Sequence, residues 1–157
     1  MIRVGQGFDV HAFDADRPLV LGGVEIPGSP GLSGHSDADV LSHAIADALM
    51  GAGGLGDLGS MFPPNEKWAG ASSLDILVEV EAALRAQGWT ISNVDSTVVA
   101  ESPKLAPFVP EMRRNVAHAL GLGLEAVSVK ATTTDGLGFT GRGEGMAAHA
   151  VALTERS

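Results

Sequence analysis

Residues 36–50 read Ser36-Asp37-Ala38-Asp39-Val40-Leu41-Ser42-His43-Ala44-Ile45-Ala46-Asp47-Ala48-Leu49-Met50, and this stretch decides the fold. Val40, Leu41, Ala44, Ile45, Ala48 and Leu49 recur at helical spacing, which predicts a helix over 36–50. Ser36 followed three residues on by Asp39 is a variant of the capping box, with Asp where Glu or Gln is usual. Asp39, His43 and Asp47, at i, i+4 and i+8, share one polar helix face among apolar neighbours.

Working outward, residues 73–87 predict a second helix with Leu77, Val80 and Leu84 inward and Gly88 at the C-terminal cap position. A third is predicted over 110–120, opened by Pro110, with Met112, Val116 and Leu120 on one stripe. Residues 18–27 place two short strands around Gly22-Gly23, a hairpin signal. Strand-like runs cover 1–4, 94–100, 127–132 and 146–153, and the last is small and apolar enough to be covered on both faces. This order predicts an α+β fold with a single sheet of about four main strands, three helices on one face and a small β-hairpin. Nothing divides the chain, so residues 1–157 are expected to form a single domain.

Composition narrows the function. The 157 residues include no Cys and no Tyr, so thiolate nucleophiles, Fe–S clusters, Cys-based zinc sites and phenol acids are excluded. Ten Lys+Arg against 19 Asp+Glu give a net charge of −9, which argues against a nucleic-acid or anionic-membrane binder. An anionic substrate stays open, because bound metal ions supply local positive charge. No stretch has the length of a membrane span or the pattern of a signal peptide.

Asp9-Val10-His11 puts a carboxylate and an imidazole on the same side of an extended segment. Asp9, His11 and His43, drawn from separate segments, can make a three-ligand metal site with an open position. The same residues equally describe a capped turn and a surface helix histidine. His118 and His149 have no partners at ligand spacing. Two G-x-G-x-x-G matches, at Gly54, Gly56, Gly59 and at Gly136, Gly138, Gly141, lack the strand-before, helix-after setting of a dinucleotide site. Thr132-Thr133-Thr134-Asp135 runs from a strand end into a glycine-rich loop holding Arg142. Hydroxyls and Arg suit phosphate oxygens, and Asp suits a hard divalent cation. Lys104 sits in another loop that can present a cation to phosphate. The residues alone point to a metal-assisted site for a phosphorylated small molecule.

Eight motifs occur in order: Gly7-Phe8-Asp9-Val10-His11, Leu21-Gly22-Gly23-Val24, His35-Ser36-Asp37-Ala38-Asp39-Val40, Leu55-Gly56-Asp57-Leu58-Gly59, Phe62-Pro63, Asn93-Val94-Asp95, Lys130-Ala131-Thr132-Thr133-Thr134 and Gly138-Phe139-Thr140-Gly141-Arg142-Gly143-Glu144-Gly145. Together they resemble the 2-C-methyl-D-erythritol 2,4-cyclodiphosphate synthases of the non-mevalonate isoprenoid pathway. The likeness covers nearly the whole chain.

The resemblance implies conversion of 4-diphosphocytidyl-2-C-methyl-D-erythritol 2-phosphate to the cyclic diphosphate with release of CMP. It implies Zn²⁺ on Asp9, His11 and His43, and a second cation, Mg²⁺ or Mn²⁺, on Asp135. His35 and Thr133 match positions that stabilise the transition state, and Ser36, Asp57, Gly59 and Phe62 match the methylerythritol side. Ala100, Lys104, Ala106, Ala131 and Thr132 match the cytidine pocket. The family pattern is a homotrimer with sites between subunits, and Phe139 and Arg142 lie near its axis, where an isoprenoid diphosphate would sit. A bacterial cytoplasmic enzyme is expected, because the first motif begins within ten residues of Met1. Asp135 stands where Glu is usual, Pro64 where an acidic residue is common, and Gln6 where an aromatic or His is frequent. A metal-dependent phosphohydrolase and a trimeric diphosphate-binding module are the alternatives.

Overall fold

The computed structural model describes residues 1–157. The chain is α+β, with a mixed five-stranded sheet in the order β4-β1-β7-β5-β6. Its strands are β1 (Ile2–Asp14), β4 (Gly31–Leu32), β5 (Thr90–Val99), β6 (Val127–Thr132) and β7 (Gly145–Glu155). A separate hairpin joins β2 (Leu19–Leu21) to β3 (Val24–Ile26). Both turn residues, Gly22 and Gly23, have positive φ, as the tight hairpin turn requires. Three long helices, α1 (Val40–Gly53), α3 (Ser73–Ala86) and α4 (Val109–Ala119), join two single turns, α2 (Leu58–Met61) and α5 (Gly138–Gly141). None is long and apolar enough to cross a membrane.

The expected four main strands are β1, β5, β6 and β7, and β4 adds a fifth at the edge. β1 differs most from expectation: it runs to Asp14 rather than stopping at Val4. Gly5 and Gly7 lie inside the strand, where α1 crosses it at backbone contact. A Cβ on Gly5 would stand 1.8 Å from the Ala48 carbonyl oxygen, and one on Gly7 1.9 Å from that of Ala44. Only glycine permits this approach.

The alternation of β1 then does two things. Gly5, Gly7, Asp9 and His11 face α1, while Val4, Gln6, Phe8 and Val10 face away. The expectation that β7 is covered on both faces fails within the chain: His149 and Val151 are exposed, opposite buried Ala148, Ala150 and Ala152. α1 also starts later than residue 36, because Asp39 rather than Ser36 caps it, accepting from the Ser42 amide.

The core lies between the sheet and the helices, with Leu41, Ile45, Leu49, Leu77, Leu84, Met112 and Met146 fully buried. Asp39 is buried among four donors: the Gly22 and Gly23 amides, each at 2.9 Å, and the amide and hydroxyl of Ser42 at 3.0 and 2.8 Å. One carboxylate thereby ties the β2–β3 turn to the start of α1.

Candidate metal centre and flanking clefts

Asp9 and His11 reach the N-terminal half of α1 along β1, and His43 meets them from the helix. Asp9 Oδ2 lies 2.8 Å from His11 Nε2 and 3.1 Å from His43 Nδ1, and the two ring nitrogens are 3.2 Å apart. This convergence of one oxygen and two nitrogens can hold a metal ion.

The far side of each ring is also engaged. His11 Nδ1 lies 2.5 Å from the Ser33 carbonyl oxygen, so it carries the proton and leaves Nε2 free as a ligand. His43 Nε2 lies 2.8 Å from Ser73 Oγ and 3.2 Å from Ser36 Oγ, leaving Nδ1 toward Asp9. Burial pushes the Asp9 carboxyl up, but hydrogen bonds and charge from His11 and His43 outweigh it and hold it down at about 2. Burial likewise lowers His11, but the Asp9 hydrogen bond and charge prevail and raise it. The Asp9 carboxylate and the His11 imidazole thus each favour the other's charged form.

Beside the trio, His35, Ser36, His43, Phe62, Pro64 and Trp68 help line a cleft of about 110 Å³. His35 is fixed by its Nε2, 2.8 Å from the Asn65 carbonyl oxygen, and Arg17 donates to the carbonyls of Gly34 and Ser36. Phe62 meets Trp68 edge to face at 4.8 Å. Asp57 and Gly59 lie outside this cleft: Asp57 caps α2, accepting from the Ser60 amide at 2.8 Å and its hydroxyl at 2.7 Å.

A second cleft, of about 180 Å³, gathers Ala100, Lys104, Ala106, Ala131, Thr132 and Thr133. It shares no lining residue with the first. Asp135 follows in left-handed backbone, at φ 53°, with the Thr133 hydroxyl 3.3 Å from its carboxylate. Phe139 and Arg142 sit on and just after α5, and Arg142 pairs with Glu144 at 2.9 Å. His149 stacks on Phe8 at 4.7 Å on the outer face of the sheet.

Three residues at these sites, Trp68, Glu101 and Ser73, carry no signal at their sequence positions, and a fourth, Asp37, stands within the His35–Val40 motif without a role of its own. Trp68 is a lone aromatic in a polar loop. Glu101 is an exposed acid at a strand end, yet it holds the Thr133–Gly136 loop by accepting from the Thr134 and Gly136 amides at 3.0 and 3.3 Å. Those backbone donors first, and the Thr134 hydroxyl after them, hold its carboxyl below the usual range. Ser73 meets His43 only through the packing of α3 on α1, and Asp37 meets Ser73 rather than His43.

Residues 2–155 match the model of the YgbB family. The chain is 56% identical to the 2-C-methyl-D-erythritol 2,4-cyclodiphosphate synthase of Syntrophomonas wolfei, over 99% of this chain and 100% of that protein. It superposes with TM-score 0.95 and 44% identity on the bifunctional IspDF of Campylobacter jejuni, all of this chain covering 43% of that one. It superposes with TM-score 0.85 and 31% identity on the IspF–CDP complex of Plasmodium falciparum, covering 99% of this chain and 97% of that one.

Proposed function

The chain belongs to the YgbB family of 2-C-methyl-D-erythritol 2,4-cyclodiphosphate synthases, and on that premise we propose how its residues carry out the reaction. It converts 4-diphosphocytidyl-2-C-methyl-D-erythritol 2-phosphate to 2-C-methyl-D-erythritol 2,4-cyclodiphosphate and CMP. An oxygen of the substrate's own 2-phosphate attacks the β-phosphorus. The bond from that phosphorus to the bridging oxygen breaks, and CMP leaves with the electron pair. No protein nucleophile is needed, and a phosphate monoester is already ionised near neutral pH.

The single observation that carries this reading is the convergence of Asp9, His11 and His43 within hydrogen-bond distance beside the His35–Ser36 cleft. Zinc is the ion these donors suit: ligands about 2.0–2.1 Å from a tetrahedral zinc stand about 3.3 Å apart, close to the 2.8–3.2 Å seen here. Bound to Asp9, His11 and His43, such a cation would offset phosphate charge, and Asp135 would hold a second divalent ion that adds to this. An anion attacks an anion here, so positioning and electrostatics dominate the barrier.

The remaining residues position and stabilise. His35 and Thr133 donate to developing charge on the phosphates. Ser36, Asp57, Gly59 and Phe62 hold the methylerythritol, Asp57 and Gly59 from the rim. Ala100, Lys104, Ala106, Ala131 and Thr132 hold the cytidine. Such a single domain works as a cytoplasmic homotrimer, with one subunit's metal side facing its neighbour's cytidine side. The separation of the two clefts in one chain supports this. So does the outer sheet face, where Val4, Phe8, Val10 and Val151 are 64, 48, 39 and 46% exposed, an apolar surface suited to a second copy. Phe139 and Arg142 then approach the threefold axis, where an isoprenoid diphosphate can bind.

The test is complementation. His43→Ala and Lys104→Ala are each expected to be inactive. After unfolding and co-refolding in equal amounts, about a quarter of the sites combine an intact metal side with an intact cytidine side. Recovery of CMP release to that level supports the shared site. No recovery from correctly folded trimers refutes it.

A further inference from the structure

We propose that Ser73 and Asp37 are positioning residues of the metal centre, together fixing the ring tautomer that lets His43 ligate through Nδ1. The inference rests on the reading of Asp9, His11 and His43 as a metal site. Ser73 is the first residue of α3 and is wholly buried, and its Oγ lies 2.8 Å from His43 Nε2. Its hydroxyl has one hydrogen to give. Asp37 takes that hydrogen at Oδ1 and takes the Ser73 amide at Oδ2, 2.9 Å away.

A carboxylate accepts and does not donate, so the direction of the chain is fixed. With its hydrogen committed to Asp37, Ser73 Oγ presents only lone pairs to the imidazole. The proton of His43 must then sit on Nε2, and Nδ1 keeps its lone pair toward Asp9 and His11. Were Asp37 absent, the hydroxyl could rotate to donate to Nε2, and the ring proton would move to Nδ1, where it blocks the ligand position. Ser36 Oγ, at 3.2 Å from the same nitrogen, is the more distant partner and also receives the Ala38 amide at 3.3 Å.

The arrangement is a carboxylate–histidine–metal relay with a serine inserted. Outer-shell partners of this kind set ligand orientation and basicity, and their loss typically costs about 10–100-fold in metal affinity. Asp37 is itself oriented by its amide bond to the Ala71 carbonyl and by the Asp39 amide on Oδ1. The start of α3, the loop before α1 and the metal ligand on α1 therefore form one hydrogen-bonded unit. Asp37 also compensates the free amide at the helix start, where negative charge is favourable.

The experiment measures zinc affinity of the intact protein by competition with a chromogenic chelator. It also follows the His43 Nε2 proton by NMR in the zinc-loaded protein. Wild type, Ser73→Ala, the near-isosteric Asp37→Asn and Ser72→Ala are compared, and Ser72→Ala removes the neighbouring helix cap without touching His43. Ser73→Ala is expected to weaken zinc binding about 10–100-fold and to speed exchange of the Nε2 proton with water. Asp37→Asn is expected to move both in the same direction, and Ser72→Ala to leave both near wild type. Tight zinc binding by wild type with unchanged affinity in Ser73→Ala and Asp37→Asn would overturn the inference alone. Equal losses in Ser72→Ala and Ser73→Ala would reduce the pair to a folding role and overturn it as well. A wild-type protein that holds no zinc would overturn the metal assignment and, with it, this inference.

Discussion

Gly7→Ala tests whether the helix–strand contact sets the metal geometry. The added Cβ would lie 1.9 Å from the Ala44 carbonyl oxygen and 2.6 Å from the Ala48 amide nitrogen. Ordinary contact begins at 3.4 Å, and the obstacle is backbone rather than a flexible side chain. Relief requires α1 to lift from β1 by about 1.5 Å. The neighbour of Ala44 is His43, and Asp9 lies two residues beyond Gly7, so the lift acts directly on the 3.1 Å contact between them. Overpacking costs about 1–3 kcal/mol, and a backbone clash falls at the upper end. For a chain of this length about 3 kcal/mol lowers Tm by about 6–12 °C. A misplacement of this size also lowers turnover about 100-fold.

Gly51→Ala is the matched control, on the helix that crosses β1 and facing the same strand. Its Cβ would meet nothing closer than the Gly5 Cα at 3.8 Å. Replacing this helical glycine is expected to add about 0.5–1 kcal/mol and raise Tm by about 1–4 °C. Calorimetry and zinc titration read both variants. A Gly7→Ala protein that melts and binds zinc like wild type would refute the reasoning, as would equal damage from Gly51→Ala.

Three further outcomes are expected. Asp39→Ala strands the Gly22, Gly23 and Ser42 donors and removes the α1 cap, so urea unfolding should show a loss of about 2–4 kcal/mol; a change too small to measure would contradict the tie. Glu101 has its carboxyl held below its ordinary 4.5, so its grip on the loop is complete above that value and disappears as pH falls through the lowered one. The Thr134 and Gly136 amide resonances should titrate with a midpoint below 4.5, and a midpoint at or above it would exclude the anchor. Asp135→Asn should weaken the Mg²⁺ dependence of turnover and leave zinc content unchanged, whereas loss of zinc would show that the two-ion assignment is wrong.

The helices were legible because their apolar spacing is strong and local. α3 and α4 lie within a residue or so of expectation, and β6 matches it. The metal trio was legible as a possibility because Asp9 and His11 obey strand alternation. What brings its three side chains together is the crossing of α1 over β1, a contact between residues 34 apart that no local pattern encodes. That same crossing explains why β1 continues past Val4 through Gly5 and Gly7: glycine lowers strand propensity, but the close backbone approach requires it. The start of α1 was misplaced because Ser36 reads as the cap and Asp39 as its capping-box partner, and the hairpin turn that binds Asp39 comes from elsewhere in the chain. The contacts of Ser73, Asp37 and Glu101 were invisible because they are hydrogen bonds between residues 30 or more apart in the chain.

Cyclisation by the substrate's own phosphate at a metal-dependent site leaves a distinctive phosphorus signature. ³¹P NMR of the protein with 4-diphosphocytidyl-2-C-methyl-D-erythritol 2-phosphate, Mg²⁺ and Zn²⁺, with and without EDTA, tests it most directly. CMP is expected together with two mutually coupled cyclic-diphosphate resonances, both abolished by EDTA. CMP with a linear phosphate product, turnover that survives the chelator, or an unchanged spectrum would contradict it.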